Sequence, residues 1–137
     1  HVAVNYHEQD FVAEVQKFTD GKGVNVIIEN VATDNLAKDF IALAPNGRIV
    51  VIGTGTGKAP DATFPVFGAL SKDAIVYGMS LVNAGPVIPE MGKALSHLFA
   101  EDKIKAVVSK SYPVSEAQQA LADLLASKVF GKLVLTP

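Results

Sequence analysis

The chain has 137 residues, and its 12 Lys and Arg side chains against 14 Asp and Glu side chains give a formal net charge of −2. This balance lacks the basic footprint of proteins that bind nucleic acids or anionic membranes, and a hydrophobic content of 49% excludes the disordered class. Because the sequence has no Cys, disulfide frameworks, thiolate metal sites and cysteine nucleophiles are excluded as well.

The N-terminal residues lack the basic region and long apolar segment of a signal peptide. The longest uncharged stretch, 74–89, is interrupted by Gly and Pro and is shorter than the about 20 apolar residues of a membrane-spanning helix. We therefore expect a cytoplasmic protein. Since the chain starts at His1 instead of Met, we also expect a processed chain or a fragment.

Strands and helices are predicted to alternate through the first three-quarters of the chain. The β-branched runs at 24–31 and 48–52 are typical of strands buried on both faces, and the Ala-Pro-Asn-Gly sequence at 44–47 predicts a break before the second run. In chain order, the prediction is strand 1–6, helix 8–19, strand 24–31, helix 35–43, strand 48–52, short helix 66–71, strand 74–81 and helix 90–100.

The last part of the chain adds a β-α-β sequence. Pro113 makes the first of its strands an edge-type strand, and Ser115 with Gln118 predicts a capping box at the start of the helix. The predicted elements are strand 106–114, helix 115–126 and strand 130–135. The helix at 90–100 is predicted to bury Met91, Ala94, Leu95, Leu98 and Phe99. The helix at 115–126 is predicted to bury Ala117, Leu121, Leu124 and Leu125.

This alternation predicts an α/β fold with a mainly parallel sheet and helices on both faces. Ligands of such sheets bind beyond the carboxyl ends of the strands, here at 29–32, 53–57 and 79–81. The Gly-Thr-Gly-Thr-Gly stretch at 53–57 is neither a Walker A loop nor a dinucleotide fingerprint, because Lys58 and Ala59 break both patterns. It is either a flexible strand exit or a place where small residues let a flat ligand approach the backbone.

Other residues at these ends support chemistry only weakly. Asn30 and Asn35 could hydrogen-bond a ribose or an amide, although Asn35 also fits the first turn of a helix. Glu29 is predicted to cap or pair locally, and Tyr6 fits a sheet edge. The three His residues have no metal-ligand spacing. The residues alone therefore predict a nucleotide-binding type of sheet without its phosphate-binding turn, and no reaction.

Several segments in order resemble the medium-chain dehydrogenase/reductase superfamily. The similarity is greatest to its NADPH-dependent quinone oxidoreductases, which include zeta-crystallin, and polyketide enoyl reductases are similar in the same places. The segments are HVAVNY at 1–6, DFV at 10–12, TDGKGVNVIIENV at 19–31, LAPNGRIVVIG at 43–53 and GKLVL at 131–135.

The resemblance implies that the chain covers only the later part of such a protein. Residues 1–103 correspond to a partial, doubly wound NAD(P)-binding Rossmann domain that lacks its first β-α-β unit. Residues 104–137 correspond to a β-α-β return segment that belongs to the catalytic domain in relatives. We therefore expect the chain alone to be inactive and to bind NADPH weakly or not at all. Strand 1–6 would lack its neighbours, so we also expect rearrangement or association.

The resemblance also implies a cofactor, NADPH, and a hydride transfer to a small-molecule quinone or activated alkene. Tyr6 matches the position beside the adenosine 2′-phosphate, and Asn35 matches a cofactor contact. Ile52, Gly53, Thr54 and Gly55 match the segment beside the nicotinamide ribose, and Met79, Ser80 and Leu81 match the segment beside its carboxamide. The subgroup implies no metal, no catalytic residue is assigned, and strand 75–81 would form a homodimer.

Two alternatives stay open on the sequence. The chain could belong to an enoyl reductase domain of a larger synthase, or to a noncatalytic structural or interaction module of the same superfamily. The full-length gene would separate them, since an upstream G-x-G-x-x-G motif with a catalytic domain favours the enzyme.

Overall fold

A computed structural model describes residues 1–55, 61–126 and 129–137. Helices and strands alternate along the chain, and both of its sheets are parallel, which confirms the predicted α/β fold class. The chain divides into two compact units, His1–Ala84 and Gly85–Pro137, called unit 1 and unit 2 below. In the described residues, no helix has the length and apolar character needed to cross a membrane.

Unit 1 is built on a parallel sheet of three strands in the order β1-β2-β3. Ile27 of β1 pairs with Ile49 of β2, which pairs in turn with Val76 of β3. Its elements are α1 (Phe11–Phe18), β1 (Val24–Glu29), α2 (Ala32–Ala42), β2 (Leu43–Val51), α3 (Val66–Leu70) and β3 (Ile75–Gly78).

The core of unit 1 lies between α2 and one face of the sheet. Leu36, Phe40, Leu43 and Ile49 are buried together there. The apolar spacing predicts that Leu36, Phe40, Ile41 and Leu43 point inward, but Ile41 is 59% exposed, so the prediction is wrong at this position. On the opposite face, Val26 and Ile28 are 53% and 61% exposed. The prediction that β1 is buried on both faces is therefore wrong for this chain.

The predicted break at 44–47 is an irregularity inside β2. Val24 pairs with Leu43, but Val26 pairs with Arg48, so extra residues of β2 bulge out between the two pairs. Asn46 takes a left-handed φ of 59°, a conformation that Asn tolerates better than most residues. Its amide donates to the carbonyl oxygen of Lys72 at 2.6 Å, which supplies the hydrogen bond that the bulge removes from the ladder.

The turn between α1 and β1 depends on glycine. Asp10 caps α1 by accepting from the amides of Val12 and Ala13. At the other end, Gly23 has a φ of +78°, and a Cβ there would lie 2.6 Å from the carbonyl oxygen of Ala42. The turn therefore packs directly on the α2–β2 junction, which only Gly allows.

The predicted strand at 1–6 is wrong. These residues pair with none of β1, β2 and β3, and the carbonyl oxygen of Asn5 accepts from the amides of Glu8 and Gln9 in a turn. The alternating pattern gives the local preference for a strand, but a strand also needs a neighbour to satisfy its backbone groups. In the described chain, both sides of β2 are already taken.

Unit 2 contains a parallel pair of strands, β4 and β5. Tyr112 is 2% exposed, and its hydroxyl donates to the Asp123 carboxylate, which also accepts from Gln119 Nε2 at 2.9 Å. Lys110 Nζ lies 4.2 Å from the centre of the Tyr112 ring. The elements here are α4 (Ile88–Ala100), β4 (Val108–Pro113), α5 (Ala117–Leu125) and β5 (Lys132–Thr136), with a 3₁₀ turn at Val114–Glu116. Another 3₁₀ turn, Leu81–Val87, begins in the last residues of unit 1.

Two predictions for unit 2 are wrong. Ser115 lies in a 3₁₀ turn, and α5 begins after Glu116 without a side-chain cap, so the capping box does not form. The predicted apolar stripes are mostly exposed, because helix formation alone does not supply a surface to pack against; Leu98 and Ala117 are half-buried. The exposed fractions are 48% at Met91, 49% at Leu95, 48% at Phe99, 55% at Leu121, 52% at Leu124 and 76% at Leu125.

Two isoleucines in neighbouring strands test which face of the sheet is packed. Ile49 is 0% exposed and Ile28 is 61% exposed. We expect Ile49→Ala to lower the free energy of unfolding by about 2–5 kcal/mol, because it leaves a cavity. Ile28→Ala should cost less than about 1 kcal/mol. Urea unfolding followed by circular dichroism measures both, and equal losses would contradict the one-sided packing.

Candidate functional site

The carboxyl ends of β1, β2 and β3 lie at one edge of the sheet, because the three strands are parallel. Backbone pairing continues past the strand ends. The amide of Ile52 donates to the carbonyl oxygen of Glu29 at 2.8 Å, and the amide of Met79 donates to that of Val51 at 2.9 Å. The segments that leave β2 and β3, 52–55 and 79–81, therefore start side by side.

The segment after β2 also binds the start of α2. The amide of Thr33 donates to the carbonyl oxygen of Thr54 at 2.8 Å, and the amide of Ala32 donates to the carbonyl oxygen of Gly53 at 3.4 Å. The amides of Asp34 and Asn35 donate to the carbonyl oxygen of Val31 at 3.0 and 3.1 Å. The amides at the start of a helix often bind anions, but here internal carbonyl oxygens occupy them.

Two glycines allow this close approach. A Cβ at Gly53 would overlap the backbone carbonyl of Asn30. Gly55 has a φ of +124°, and a Cβ there would lie 2.6 Å from Thr33 Oγ1. The packing of Gly53 and Gly55 on Asn30 and Thr33 argues against a flexible exit, and the approach of a flat ligand to this backbone stays a prediction. Gly57 lies outside the described residues.

The predicted cofactor-binding residues fall into two groups in the structure. Six of them follow β2 and β3 at the same edge: Ile52, Gly53, Thr54, Gly55, Met79 and Ser80. Leu81 follows directly, begins the 3₁₀ turn and is 62% exposed. Ser80 Oγ accepts from the amide of Val82 at 3.3 Å, so part of its hydrogen-bonding capacity is used within the turn.

The other two predicted residues are placed differently. Asn35 lies in the first turn of α2, and its Nδ2 donates to Glu29 Oε2 at 3.4 Å, so the side chain points towards the protein interior. Tyr6 precedes α1, is 71% exposed, and its ring lies 4.2 Å from the His7 ring. Their roles in cofactor binding stay predictions.

A buried pair of carboxyl groups lies just beneath this edge. Glu29 is 6% exposed and Asp39 is 1% exposed. Burial, followed by the charge of Glu29 and a hydrogen bond with it, raises the pKa of Asp39 to about 7. The predicted local pairing of Glu29 is confirmed by its bonds to Val31 and Asn35.

Asp39 was not identified from the sequence. The signal was present, because position 39 lies on the same face of α2 as Leu36 and Phe40, which the apolar spacing turns inward. An acidic residue on such a face must be paired or protonated when it is buried.

Two further observations bear on what this edge could bind. Thr33 Oγ1 is buried, and the described residues give it no hydrogen-bond partner.

Within ranges 1–55, 61–126 and 129–137, no group of three or more His, Asp or Glu side chains is placed to hold a metal ion. The described residues therefore do not form a zinc site, and no chemistry is assigned to a metal here.

Known proteins match this chain along its whole length. It is 26% identical over 137 residues to a quinone oxidoreductase of Sus scrofa, a match covering 98% of this chain and 40% of the relative. It is 29% identical over 143 residues to a 2-haloacrylate reductase of Burkholderia sp, covering 100% of this chain and 42% of the relative. The chain thus spans well under half the length of the curated relatives it matches.

The fold matches solved structures too. A quinone oxidoreductase of Pseudomonas syringae pv. Tomato superposes with a TM-score of 0.81 at 24% identity, covering 98% of this chain and 42% of that chain. A family model described as zinc-binding dehydrogenase matches residues 1–135. These matches confirm the resemblance found in the sequence and the Rossmann-like sheet, and the chain belongs to the zinc-binding dehydrogenase family.

Proposed function

We propose that this chain forms the nicotinamide-binding part of an NADPH-dependent oxidoreductase that transfers hydride to a quinone or an activated alkene. The observation that carries the proposal is the glycine-lined edge at 52–55, which lies beside 79–81 at the ends of two neighbouring parallel strands. This is where α/β sheets bind their ligands. The relatives named quinone oxidoreductase and 2-haloacrylate reductase support a reductase over a structural module.

The proposed task of the chain's residues is to bind and orient the cofactor. Ile52, Gly53, Thr54 and Gly55 would lie against the nicotinamide ribose, on a segment that its close contacts with Asn30 and Thr33 hold in place. Met79, Ser80 and Leu81 would hold the carboxamide. When bound, NADPH supplies the hydride, and the protein supplies position and a water-poor surface.

Buried but unpartnered groups at the edge support this assignment. Thr33 Oγ1 has a proton and lone pairs without a partner in the described chain, and a ribose hydroxyl or a carboxamide would satisfy it.

The choice of NADPH over NADH depends on Tyr6, which is 71% exposed and would lie near the 2′-phosphate. A cytoplasmic location completes the proposal.

The proposal includes a homodimer formed through β3 and the residues after it, 75–81. β3 is an edge strand of its sheet, with Ile75 54% exposed and Tyr77 61% exposed. An apolar edge strand with unpaired backbone groups tends to pair with another strand. Two copies that pair β3 with β3 would extend the sheet across the interface.

Reduced nicotinamide mononucleotide tests the binding edge directly, because it lacks the adenosine half of the cofactor. At millimolar concentration, we expect it to shift the amide resonances of Thr54, Gly55 and Ser80. The shifts should be absent at Lys103 and Ser111 of unit 2. Two-dimensional NMR of the labelled chain measures this, and shifts confined to other residues would disprove the proposed edge.

Gly53→Ala tests whether the close approach forms the edge. Its Cβ would overlap the backbone of Asn30, so we expect a loss of about 1–3 kcal/mol in the free energy of unfolding and weaker binding of the mononucleotide. The matched control is Gly92→Ala in α4, where a Cβ meets nothing within 4 Å. That change should raise the free energy of unfolding by up to about 1 kcal/mol. Equal effects of the two changes would contradict the packing described.

Tyr77→Lys tests the dimer, since a charged side chain on an edge strand opposes strand pairing. We expect the unaltered chain to sediment as a dimer and the variant as a monomer in analytical ultracentrifugation. Leu125→Lys, at a side chain 76% exposed on α5, should leave the dimer intact. A well-folded monomer before any substitution would remove the dimer from the proposal.

A further inference from the structure

The buried carboxyl pair of Glu29 and Asp39 lies where β1 ends and α2 passes over the sheet. The two residues are 6% and 1% exposed, and neither is among the residues proposed to contact the cofactor. Burying two ionised carboxylates side by side is strongly unfavourable, because each loses its hydration and repels the other. The pair is therefore stable in the folded chain only if it holds a proton.

The hydrogen bonds show which member holds the proton. Glu29 Oε1 accepts from the amide of Val31, and Glu29 Oε2 accepts from Asn35 Nδ2 at 3.4 Å. Asp39 Oδ2 is buried without a donor in the described residues. A carboxylate that accepts two hydrogen bonds is stabilised in its ionised form, whereas a buried carboxyl oxygen without a donor is tolerated better when its group is neutral. Asp39 is thus the protonated partner, and its O–H donates to Glu29.

Glu29 is directly connected to the candidate edge. Its carboxylate holds the amide of Val31, and its own carbonyl oxygen accepts from the amide of Ile52 at 2.8 Å. The next two residues, Ala32 and Thr33, donate their amides to Gly53 and Thr54. A change in the position of the Glu29 carboxylate therefore acts on the β1–α2 turn, and through that turn on the 53–54 segment.

Few other charged groups lie on the elements packed around α2. These are Glu14 and Lys17 on α1 and the exposed Arg48 on β2, and α3 carries none. On α2 itself, Asp34 and Lys38 are exposed. The ionisable neighbour that raises the pKa of Asp39 is Glu29, so the titration belongs to this pair.

We propose that Asp39 is a positioning residue: the proton it shares with Glu29 holds the β1–α2 turn against the 53–54 segment, and loss of this proton loosens the edge. The consequence is a binding edge that is ordered in mildly acidic solution and relaxes as the pH rises through neutrality. That the edge receives a nicotinamide depends on the proposed function, whereas the proton-dependent ordering does not.

The direction of the pH dependence follows from the raised pKa of Asp39, from 3.8 to about 7. The folded chain keeps a proton that the unfolded chain has already lost, so the stabilisation is complete below about pH 4 and falls as the pH rises to about 7. One proton of difference lowers the folding equilibrium constant about tenfold per pH unit within this window. Above it, the contribution is lost and the curve is flat.

An NMR titration of the chain without any cofactor tests the proposal. From pH 5.5 to 8.5, we expect the amide resonances of Val31 and Thr33 to shift with a common midpoint near 7. In Asp39→Asn, which keeps a neutral hydrogen-bond donor at this place, the same resonances should stay constant. The control Asp20→Asn removes an exposed carboxylate and should titrate like the unaltered chain. Constant resonances in the unaltered chain, or an unchanged midpoint in Asp39→Asn, would overturn the proposal.

A second measurement keeps the test decisive if Asp39→Asn does not fold. The side-chain carboxyl carbon of Asp39 reports its protonation in the unaltered chain, and a midpoint below pH 5 would overturn the proposal. In urea unfolding, the unaltered chain and Asp20→Asn should show the same pH dependence. Between pH 4 and 7, the folding equilibrium constant of Asp39→Asn, divided by that of the unaltered chain, should rise about tenfold per pH unit. Because no nucleotide is present, failure here is distinct from failure of the proposed function.

Discussion

The backbone contact between the exit of β2 and the exit of β1 is the constraint on which the rest of unit 1 depends. Ile52 bonds to Glu29, Thr33 bonds to Thr54, and Gly53 lies against Asn30 without room for a Cβ. These contacts fix where α2 starts. The position of α2 in turn decides which face of the sheet is covered and which side chains, Leu36 and Phe40 among them, fill the core.

Much of this arrangement follows from local sequence. The β-branched runs and the apolar spacing of α2 are enough to predict β1, β2, α2 and the edge at their carboxyl ends, because these elements pack on sequence neighbours. The strand at 1–6 fails for the opposite reason, since its pairing depends on a partner that local preference does not specify. Asp39 was missed because an inward acidic residue becomes meaningful only with Glu29 beside it.

The exposed apolar surface of β1, like the failed strand at 1–6, shows that local preference does not specify a packing partner. Val26 and Ile28 have the composition of a strand covered on both faces, yet they are more than half exposed. The residue types in β1 are those usually found in buried strands. The exposed fractions of these residues show how far this chain alone covers them. The difference between the two is large in this chain, which spans 40% of a relative.

The electrostatics of the edge favour a flat, uncharged group over a phosphate. The first-turn amides of α2 are occupied by the carbonyl oxygens of Val31, Gly53 and Thr54, so they do not offer the free donors of an anion site. The ionised member of the buried carboxyl pair adds negative charge beneath the same turn, which opposes an anion further. The segment that Gly53 and Gly55 let pack on Asn30 and Thr33 remains, together with the hydroxyl of Thr33, which has no partner among the described residues. These features suit the uncharged nicotinamide and ribose of the proposed cofactor, whose phosphates would need donors from elsewhere.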